Sequence, residues 1–560
     1  MAILSTLPDR IRRFPIVLLA LVACGSASAF EVIIRIGDPA PQIGTSGYTI
    51  ESFVEPPSII SGSGPDSGYS VFHVTIAGPG VDANNSHVIY RWSRGVGLVR
   101  VARGGDSIVF PDGTRILTIL ESPLASVYGA VAYTSQLDDG RRGLVLWRPG
   151  VPSLGIARVG QSVVIPCDAL AGGPCGPVAG TLGNLPTFAD RKGMAFVSEF
   201  DLLGILRHQF AFRGVVQDTG GFGTPDALWY RELRENDIAG TLLNLSNSLR
   251  KAEGLGANNI YFDDFTDFSF CTADYLLGLA TVSRDAPFVV YRFRETGMHT
   301  PLGRDHAPDM APRRDLHCDG ATGSYVGGLS NAPFDGVVAN KGAWLVDTAT
   351  AVQSQVYSNT VTPAPAPAGA TLGVPLGQAP DILRGGGSVF AARLIGSAAN
   401  GRIGIYRGAP GSTLVPLIHE TESLPGQSQV VDRIWSVAVD VFGLALVHLR
   451  LVDQRQAIRL VGTLPGDSRA VLASGDSITV APGDVRTLTS FWLLGGTFGT
   501  DPVVTGYGGD GLQGAFARNG DAVLVAYYAA SSGAPAGAAM VAAQLSVPLF
   551  ADGFEDPPPT

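Results

Sequence analysis

Residues 129–161 read GAVAYTSQLDDGRRGLVLWRPGVPSLGIARVGQ and contain three short apolar segments separated by turn residues. The first follows a glycine, Gly129-Ala-Val-Ala-Tyr133, and the second is Leu146-Trp147-Arg148. The third, residues 154–161, ends in Gly-Gln. Each segment has the length and the composition of a β-strand, and the Gly, Pro and Asp residues between them are typical of turns. The stretch therefore predicts three consecutive short strands.

The same segments recur along the chain. Strands that end in Gly-Asp or a variant of it lie at 34–38, 99–106, 154–161 and 471–476, with degenerate copies near Asn244, Asp305, Asn359 and Thr421. A turn glycine and an apolar strand occur at 129–133, 193–196, 387–390 and 443–447, with weaker copies after Gly68, Gly278, Gly327 and Gly520. Aromatic-Arg strands contain Tyr90-Arg91, Trp147-Arg148, Tyr230-Arg231, Tyr291-Arg292 and Tyr406-Arg407. The 452 residues from Gly68 to Gly520 span seven intervals of about 65 residues.

This repetition predicts an all-β protein. A less regular strand in the Pro-containing connections, such as 185–188, brings each unit to four strands, and four-stranded units arranged radially form a β-propeller. Residues 30–38 have the final-strand pattern without a preceding partner, and the last unit, at 520–528 and 540–545, lacks a final strand. We therefore predict seven or eight four-stranded blades over residues 30–547, closed by the N-terminal strand. Tandem β-sandwiches and an open solenoid are the alternatives.

Composition narrows the class of protein. Of 560 residues, 72 are Gly and 38 are Pro, 16% are charged and 45% are hydrophobic, which excludes a disordered chain. The formal net charge is −10, and no basic run follows the pattern of a phosphate-backbone site, so nucleic acid is not an expected partner. Helical periodicity is scarce, and residues 237–255 are the best helix candidate.

The N-terminus has the features of an export signal. Arg10, Arg12 and Arg13 precede an apolar run at 14–23, and Ala27-Ser28-Ala29 has the form of a signal-peptidase site, which predicts a signal peptide over residues 1–29. The apolar run is too short for a membrane anchor, and no other segment has the length of a transmembrane helix. The alternative is a lipoprotein with an acylated Cys24, which would be periplasmic or in the outer membrane. Residues 548–560 form a predicted exposed, Pro-rich tail.

An exported chain would retain four cysteines, Cys167, Cys175, Cys271 and Cys318. An even number in an oxidising compartment favours two disulfides, and Cys167 with Cys175 could close a Gly/Pro loop, which leaves Cys271 with Cys318. Four cysteines allow three pairings. Zinc is the weaker interpretation because no C-x-x-C occurs.

Two motifs support a resemblance. Asp190-Arg-Lys-Gly193-Met-Ala-Phe196 and Ala157-Arg158-Val159-Gly160 come close to N-x-x-G-x-x-x-A-F and to an A-R-x-G-like strand, with Asp in place of Asn and Ala two residues early. The chain thus resembles secreted bacterial tandem-repeat proteins, a group without established activity. The tail residues Asp552-Gly-Phe-Glu555 are similar to a short C-terminal segment of many exported bacterial proteins. The resemblance implies export and a repeat fold, and it implies no catalytic residue.

Local catalytic motifs are absent, since the chain contains no G-x-S-x-G, no P-loop and no H-E-x-x-H. The densest polar cluster contains His299, Asp305, His306, Asp309 and His317. These residue types bind divalent metals, yet their spacing matches no metal site, so a solvated loop is the favoured interpretation. Asp263, Asp264 and Asp267 alternate with phenylalanines, which favours an edge strand over a calcium site.

Two further features are the aromatic-Arg pairs that recur in the units and the segments that interrupt the repeats. The aromatic-Arg pairs offer one candidate binding site per blade, but a residue type kept in most units more often supports the repeat. Residues 204–259 and 360–369 interrupt the rhythm and predict long loops, where binding residues concentrate.

These observations predict a secreted, calcium-independent propeller without a cofactor or a metal, which binds an unknown extracellular glycan or protein. The alternatives are an extracellular propeller hydrolase or lyase that acts on polysaccharide with carboxylates from separate blades, and an architectural envelope protein.

Overall fold

The computed structural model describes residues 30–44, 47–60, 68–168, 176–186, 194–201, 203–235, 240–252, 260–272, 275–282, 288–293, 299–305, 317–319, 322–328, 341–347, 350, 352–358, 370–383, 386–396, 401–423, 429–440, 443–463, 468–494, 496–497, 514–517, 520–531 and 533–545. Within 263–383, some side chains also lie outside the description. The described residues form 38 strands and no helix. The predicted signal peptide and the predicted tail lie outside the described residues.

The strands form seven sheets, which we number in chain order. β1 (Glu31–Arg35) belongs to the last of them. Sheet 1 contains β2 (Thr49–Phe53), β3 (Ser58–Ile60), β4 (Tyr69–Ala77), β5 (His87–Ser93) and β6 (Gly97–Arg103). Sheet 2 contains β7 (Ser107–Phe110), β8 (Gly113–Ala125), β9 (Val131–Leu137), β10 (Arg142–Arg148) and β11 (Val151–Arg158). Sheet 3 contains β12 (Ser162–Ile165), β13 (Val178–Leu182), β14 (Met194–Phe200), β15 (Leu206–Gln217), β16 (Asp226–Arg234) and β17 (Leu242–Asn247).

Sheet 4 has eight strands, which are β18 (Phe262–Thr272), β19 (Tyr275–Val282), β20 (Phe288–Phe293), β21 (His299–Asp305), β22 (His317–Asp319), β23 (Thr322–Gly328), β24 (Lys341–Asp347) and β25 (Gln353–Ser358). Its two halves meet through the pair Arg304 and Gly328. Sheet 5 contains β26 (Thr371–Leu383), β27 (Gly387–Ile395), β28 (Ile403–Gly408) and β29 (Val415–His419).

Sheet 6 contains β30 (Val431–Val439), β31 (Ala445–Leu451), β32 (Gln456–Val461), β33 (Arg469–Ala473) and β36 (Gly496–Thr497). Sheet 7 contains β34 (Ser477–Ala481), β35 (Asp484–Trp492), β37 (Asp521–Tyr528), β38 (Gly537–Gln544) and, from the other end of the chain, β1. β1 and β38 are antiparallel, with Glu31 opposite Ala542 and Ile34 opposite Met540.

The apolar core is divided among the spaces between consecutive sheets. Seven clusters of buried side chains join sheet 1 to 2, 2 to 3, 3 to 4, 4 to 5, 5 to 6, 6 to 7, and 7 to 1. Sheets that bury both faces against their neighbours are a β-propeller arrangement. The predictions of an all-β fold and of a propeller arrangement are confirmed for the described residues. The predicted count of seven or eight blades and the closure of the ring stay predictions.

The Gly-Asp repeats are turns between sheets. The backbone N–H of Asp38, Asp106 and Asp476 donates to the carbonyl three residues earlier, and the carboxylate of each accepts the N–H of that same residue at 2.7–2.8 Å. The glycine before each Asp donates its N–H to the first part of the next sheet, as from Gly105 to the Leu117 carbonyl at 2.7 Å. The motif recurs because each sheet needs this connection.

Two expectations about irregular segments are wrong for the described residues. The predicted loop at 204–259 contains β15, β16 and β17, which are regular strands of sheet 3. The helix candidate at 237–255 contains β17 instead, which pairs with β16 in sheet 3. Residues 360–369 lie outside the described part of the chain.

The four cysteines are only partly described. Cys167 follows β12, Cys271 is buried in β18, and both are disulfide-bonded. Cys175 and the side chain of Cys318 lie outside the description. The pairing of Cys167 with Cys175 and of Cys271 with Cys318 stays a prediction.

No described helix is long and apolar enough to cross a membrane.

Candidate functional site

One position of the repeat distinguishes some sheets from others. It lies five residues after a glycine of positive φ. This glycine stands just before the second strand of a four-stranded unit. The residues here are buried and polar in sheets 1, 2, 3 and 6, namely His73, Thr134, Gln209 and His448. In sheets 5 and 7 they are the apolar Ala391 and Val525. A buried polar side chain is costly unless it has a hydrogen-bond partner. The four polar positions therefore require partners that the two apolar positions do not.

The first strand bulges opposite this position. In sheet 2, Glu121 and Ser122 together face Thr134, and in sheet 6, Trp435 and Ser436 face His448. In sheet 1 the strand is interrupted between Phe53 and Ser58, where residues 54–57 pass His73. A bulge re-aims a side chain out of the regular alternation, and bulges are common beside functional sites. We call residues 55, 73, 121 and 122 the acidic cluster.

Two glutamates from neighbouring sheets occupy the acidic cluster. The Ser122 hydroxyl donates to Oε2 of Glu55 at 2.5 Å, which connects sheet 2 to sheet 1. Glu121 accepts hydrogen bonds from the Thr134 hydroxyl at 2.7 Å and from Nη2 of Arg142 at 2.9 Å. Glu121 is therefore neutralised by a cation. Oε1 of Glu55, by contrast, is buried without a hydrogen-bond partner among the described residues.

The difference between the paired Glu121 and the buried Glu55 affects the protonation of Glu55. Burial, and to a smaller extent the Glu121 charge, raise the pKa of Glu55 to about 7, although the Ser122 hydrogen bond opposes the shift. Nδ1 of His73 lies 3.9 Å from Oε1 of Glu55, and its Nε2 lies 2.8 Å from Nδ1 of His87. Burial and the neighbouring His87 lower the pKa of His73 to about 3, so the imidazole is neutral at pH 7. Glu55 can thus exchange a proton near neutral pH.

The equivalent place in sheet 6 is aromatic. The Trp435 ring is half-buried and contacts the His448 ring edge to face, with centroids 4.9 Å apart. Nε2 of His448 lies 3.4 Å from Oε1 of Gln456. Nε1 of Trp435, Oγ of Ser436 and Nδ1 of His448 are buried without hydrogen-bond partners in the described part of the chain.

The predicted polar cluster cannot be assembled from the described residues. His299 and Asp305 are the two ends of β21, and His317 begins β22, but their side chains are outside the description, as are His306 and Asp309 entirely. Among the described side chains, no three His, Cys, Asp or Glu residues are placed to hold a metal ion. The absence of a metal or cofactor, and independence of calcium, stay predictions.

Two structural interpretations can be examined directly. Asp263 and Asp264 lie in β18, an edge strand of sheet 4, as predicted, and Asp264 pairs with Arg213 of sheet 3 at 2.9 Å. The Arg91 guanidinium lies over the rings of Tyr69 and Trp147, at 5.0 and 5.1 Å, and donates to the Gly129 carbonyl. This aromatic-Arg pair therefore connects sheets 1 and 2.

The sequence interpretation missed Glu55, Glu121 and Trp435, because no local motif surrounds them. A signal was present in the repeats, since the fifth residue after the turn glycine changes from apolar to polar in some units. In sheet 3 this glycine is Gly204, 11 residues after Gly193.

No protein-family model and no curated protein matches the chain. Among solved structures, it is similar to the β-propeller domain of the Trilobed protease from Pyrococcus furiosus, with 8% identity, 77% of this chain and 97% of that chain covered, and a TM-score of 0.34. A mutant of Synechocystis apocarotenoid oxygenase has 11% identity, coverage of 78% and 94%, and a TM-score of 0.30. The α-L-arabinanase of Penicillium chrysogenum has 8% identity, coverage of 91% and 98%, and a TM-score of 0.25.

The class that the chain's own sheets define is an all-β protein of propeller arrangement.

Proposed function

We propose that the protein is an exported bacterial binding module that takes a hydroxyl-rich ligand, a glycan, at the acidic cluster. The observation that carries the proposal is the buried Oε1 of Glu55, which has no hydrogen-bond partner among the described residues, beside Glu121, whose two oxygens both accept hydrogen bonds. A buried carboxylate oxygen without a donor is costly, and a ligand hydroxyl that donates to it removes that cost.

The location supports the same proposal. Glu55 lies in the break between β2 and β3 of sheet 1, and Ser122 lies in the bulge of β8 in sheet 2, so a ligand there would touch two sheets at once. Binding sites are usually found where repeats differ, and this position is apolar in sheets 5 and 7. Carboxylate, hydroxyl and imidazole groups together suit the donors and acceptors of a sugar.

Export rests on the N-terminal segment. We propose cleavage after Ala29 and a secreted product, with acylation of Cys24 as the alternative. The resemblance to secreted tandem-repeat proteins supports this location.

The test is a thermal-shift and calorimetric screen of residues 30–560 against glycans, with peptides and peptidoglycan fragments as other classes. We expect one glycan class to bind. Glu55→Gln should weaken its binding at least tenfold, and Glu51→Gln, at an exposed position of the same region, should not. Binding should strengthen from pH 6 to 8, because the ionised Glu55 is the better acceptor. No binding by any glycan would contradict the proposal and favour a protein partner or an architectural role.

A second candidate is a polysaccharide hydrolase, which the raised pKa of Glu55 favours. A carboxyl group that is still protonated near pH 7 can act as a general acid beside a second carboxylate. Its pH dependence is opposite, because turnover needs the protonated form and should fall above pH 7. Release of reducing ends, lost in Glu55→Gln, would identify the hydrolase, whereas binding without turnover would exclude it.

A further inference from the structure

The bulge of sheet 6 differs from that of sheet 2 in one decisive respect. In sheet 2 the buried Thr134 donates to Glu121, so the polar position is satisfied within the protein. In sheet 6 the residue equivalent to Glu121 is Trp435, which brings an indole N–H in place of a carboxylate acceptor. Ser436 and His448 face each other across the same strand pair. The sheet 6 position therefore keeps three polar atoms that have no hydrogen-bond partner among the described residues.

The hydrogen-bonding character of these atoms is defined. Burial lowers the pKa of His448 to about 4, so the ring is neutral at pH 7 and carries one N–H. Nε2 faces the amide oxygen of Gln456, which can only accept, so the proton is on Nε2 and Nδ1 is an acceptor. The Trp435 N–H is a donor, and the Ser436 hydroxyl is both. A ligand hydroxyl, which can donate to Nδ1 and can accept from the indole N–H, is a suitable partner for these groups.

His448 and Ser436 are each less than 3% exposed, whereas Trp435 is half-buried. The polar atoms are thus removed from bulk water, whereas part of the Trp435 side chain is exposed. An aromatic ring beside a small group of polar atoms is the combination that receives a sugar ring, because the apolar face of the sugar packs on the ring while its hydroxyls find partners.

We propose that Trp435, Ser436 and His448 form a second ligand subsite, which binds one hydroxyl of a sugar residue and packs the sugar against the Trp435 ring. The subsite shares the ligand class of the proposed function, and so rests on it, but uses different residues in a different sheet. Sheet 7 alone separates sheet 6 from sheet 1 in the order of packing.

The experiment is saturation-transfer NMR with millimolar methyl glycosides of glucose, galactose, mannose and xylose on residues 30–560. We expect transfer from the wild type to at least one glycoside. Trp435→Phe keeps the ring but removes the N–H, and Ser436→Ala removes the hydroxyl, and each should weaken binding at least fivefold. Trp492→Phe is the matched control, because Trp492 is also half-buried but packs between sheets 7 and 1.

Each outcome decides between the two sites. Loss of binding in Trp435→Phe but not in Glu55→Gln would support the subsite and contradict the acidic cluster as the glycan site. The reverse would overturn the subsite and leave the proposed function standing. Absence of transfer from the wild type, or equal transfer from Trp435→Phe, Ser436→Ala and the control, would overturn the subsite. A crystal structure that shows only an undisplaced water between the three polar atoms would do so as well.

Discussion

Single glycines control the connections between sheets. Gly37, Gly105 and Gly475 adopt φ values of 89°, 95° and 95°, in the region that other residues enter at a cost. The following Asp then accepts the N–H of the residue three positions earlier, so both letters of the Gly-Asp pair have a defined role. The repetition seen in the sequence is therefore the repetition of one turn.

Gly475→Ala tests this role. A Cβ at Gly475 would meet nothing within 4 Å, so the expected loss of stability, about 1–2 kcal/mol, comes from the backbone conformation alone. Gly176→Ala is the control, because Gly176 is equally uncrowded but has no positive φ. Urea unfolding of both variants measures the difference. Equal stabilities would show that the turn tolerates a side chain.

A buried histidine predicts sensitivity to acid. His208 bonds to the Ser198 hydroxyl at 2.7 Å, and burial, with the nearby Arg148 charge, lowers its pKa to about 4. The unfolded chain binds this proton already near pH 6.5, so stability is complete above that pH and decreases as pH falls towards 4. The loss from this residue is up to about 3 kcal/mol.

His208→Gln should remove that part of the pH dependence. The measurement is the unfolding free energy of wild type and variant at pH 8 and pH 4.5. The comparison at pH 8 is the control, because it isolates any packing defect. Parallel profiles of the two proteins would assign the acid sensitivity to other groups.

Strand pairs after the Gly-Asp turns fold back onto their own sheet. β7 and β8 form such a hairpin, and β7 meets β11 in a parallel pair, Val109 with Leu154. The ring of the buried Phe110, at the end of β7, occupies the space that a Cβ atom on Gly143 or on Gly155 would need. The two glycines of β10 and β11 are thus complementary to one phenyl ring.

Gly155→Ala should therefore destabilise the protein by overpacking, by about 1–3 kcal/mol. Because the clash is with Phe110, adding Phe110→Leu should recover part of the loss, and the two substitutions should be non-additive. Thermal unfolding of the single and double variants measures the coupling. Additive effects would contradict a direct contact as the cause.

The two ends of the described chain meet in sheet 7. β1 pairs with β38, and Ile34 of β1 is 3% exposed within the cluster that joins sheets 7 and 1. The N-terminal strand therefore contributes to the core as well as to the edge of a sheet. Its contacts link residues more than 500 positions apart in the sequence.

A protein that starts at residue 39 should consequently unfold at a lower temperature than one that starts at residue 30. The reason is the exposure of β38 and of the apolar side chains that β1 covers. Ile34→Ala should reproduce part of the loss, about 2–4 kcal/mol, whereas Ile36→Ala, at a position 38% exposed, should have little effect. Unchanged melting of the shortened chain would mean that β1 adds no stability.

Local patterns were sufficient for the fold class. Short-range periodicity identified the strands at Gly129 and Leu146, and the Gly-Asp turns were visible because turn geometry depends on neighbouring residues. The segment at 204–259 was misjudged because the turn glycine of this unit was assigned to Gly193, whereas in sheet 3 it is Gly204, and the strands β15, β16 and β17 follow it.

The candidate sites depend on contacts that no local pattern contains. Glu55 and Ser122 are 67 residues apart and meet because the break in sheet 1 and the bulge in sheet 2 adjoin each other. The protonation of Glu55 follows from burial and from a neighbouring charge, and both arise only after the sheets pack. Strand and turn preferences act over a few residues, so the sequence by itself determines them. Burial, pairing across sheets and the buried atoms of Trp435 and Glu55 that lack partners among the described residues arise from long-range packing.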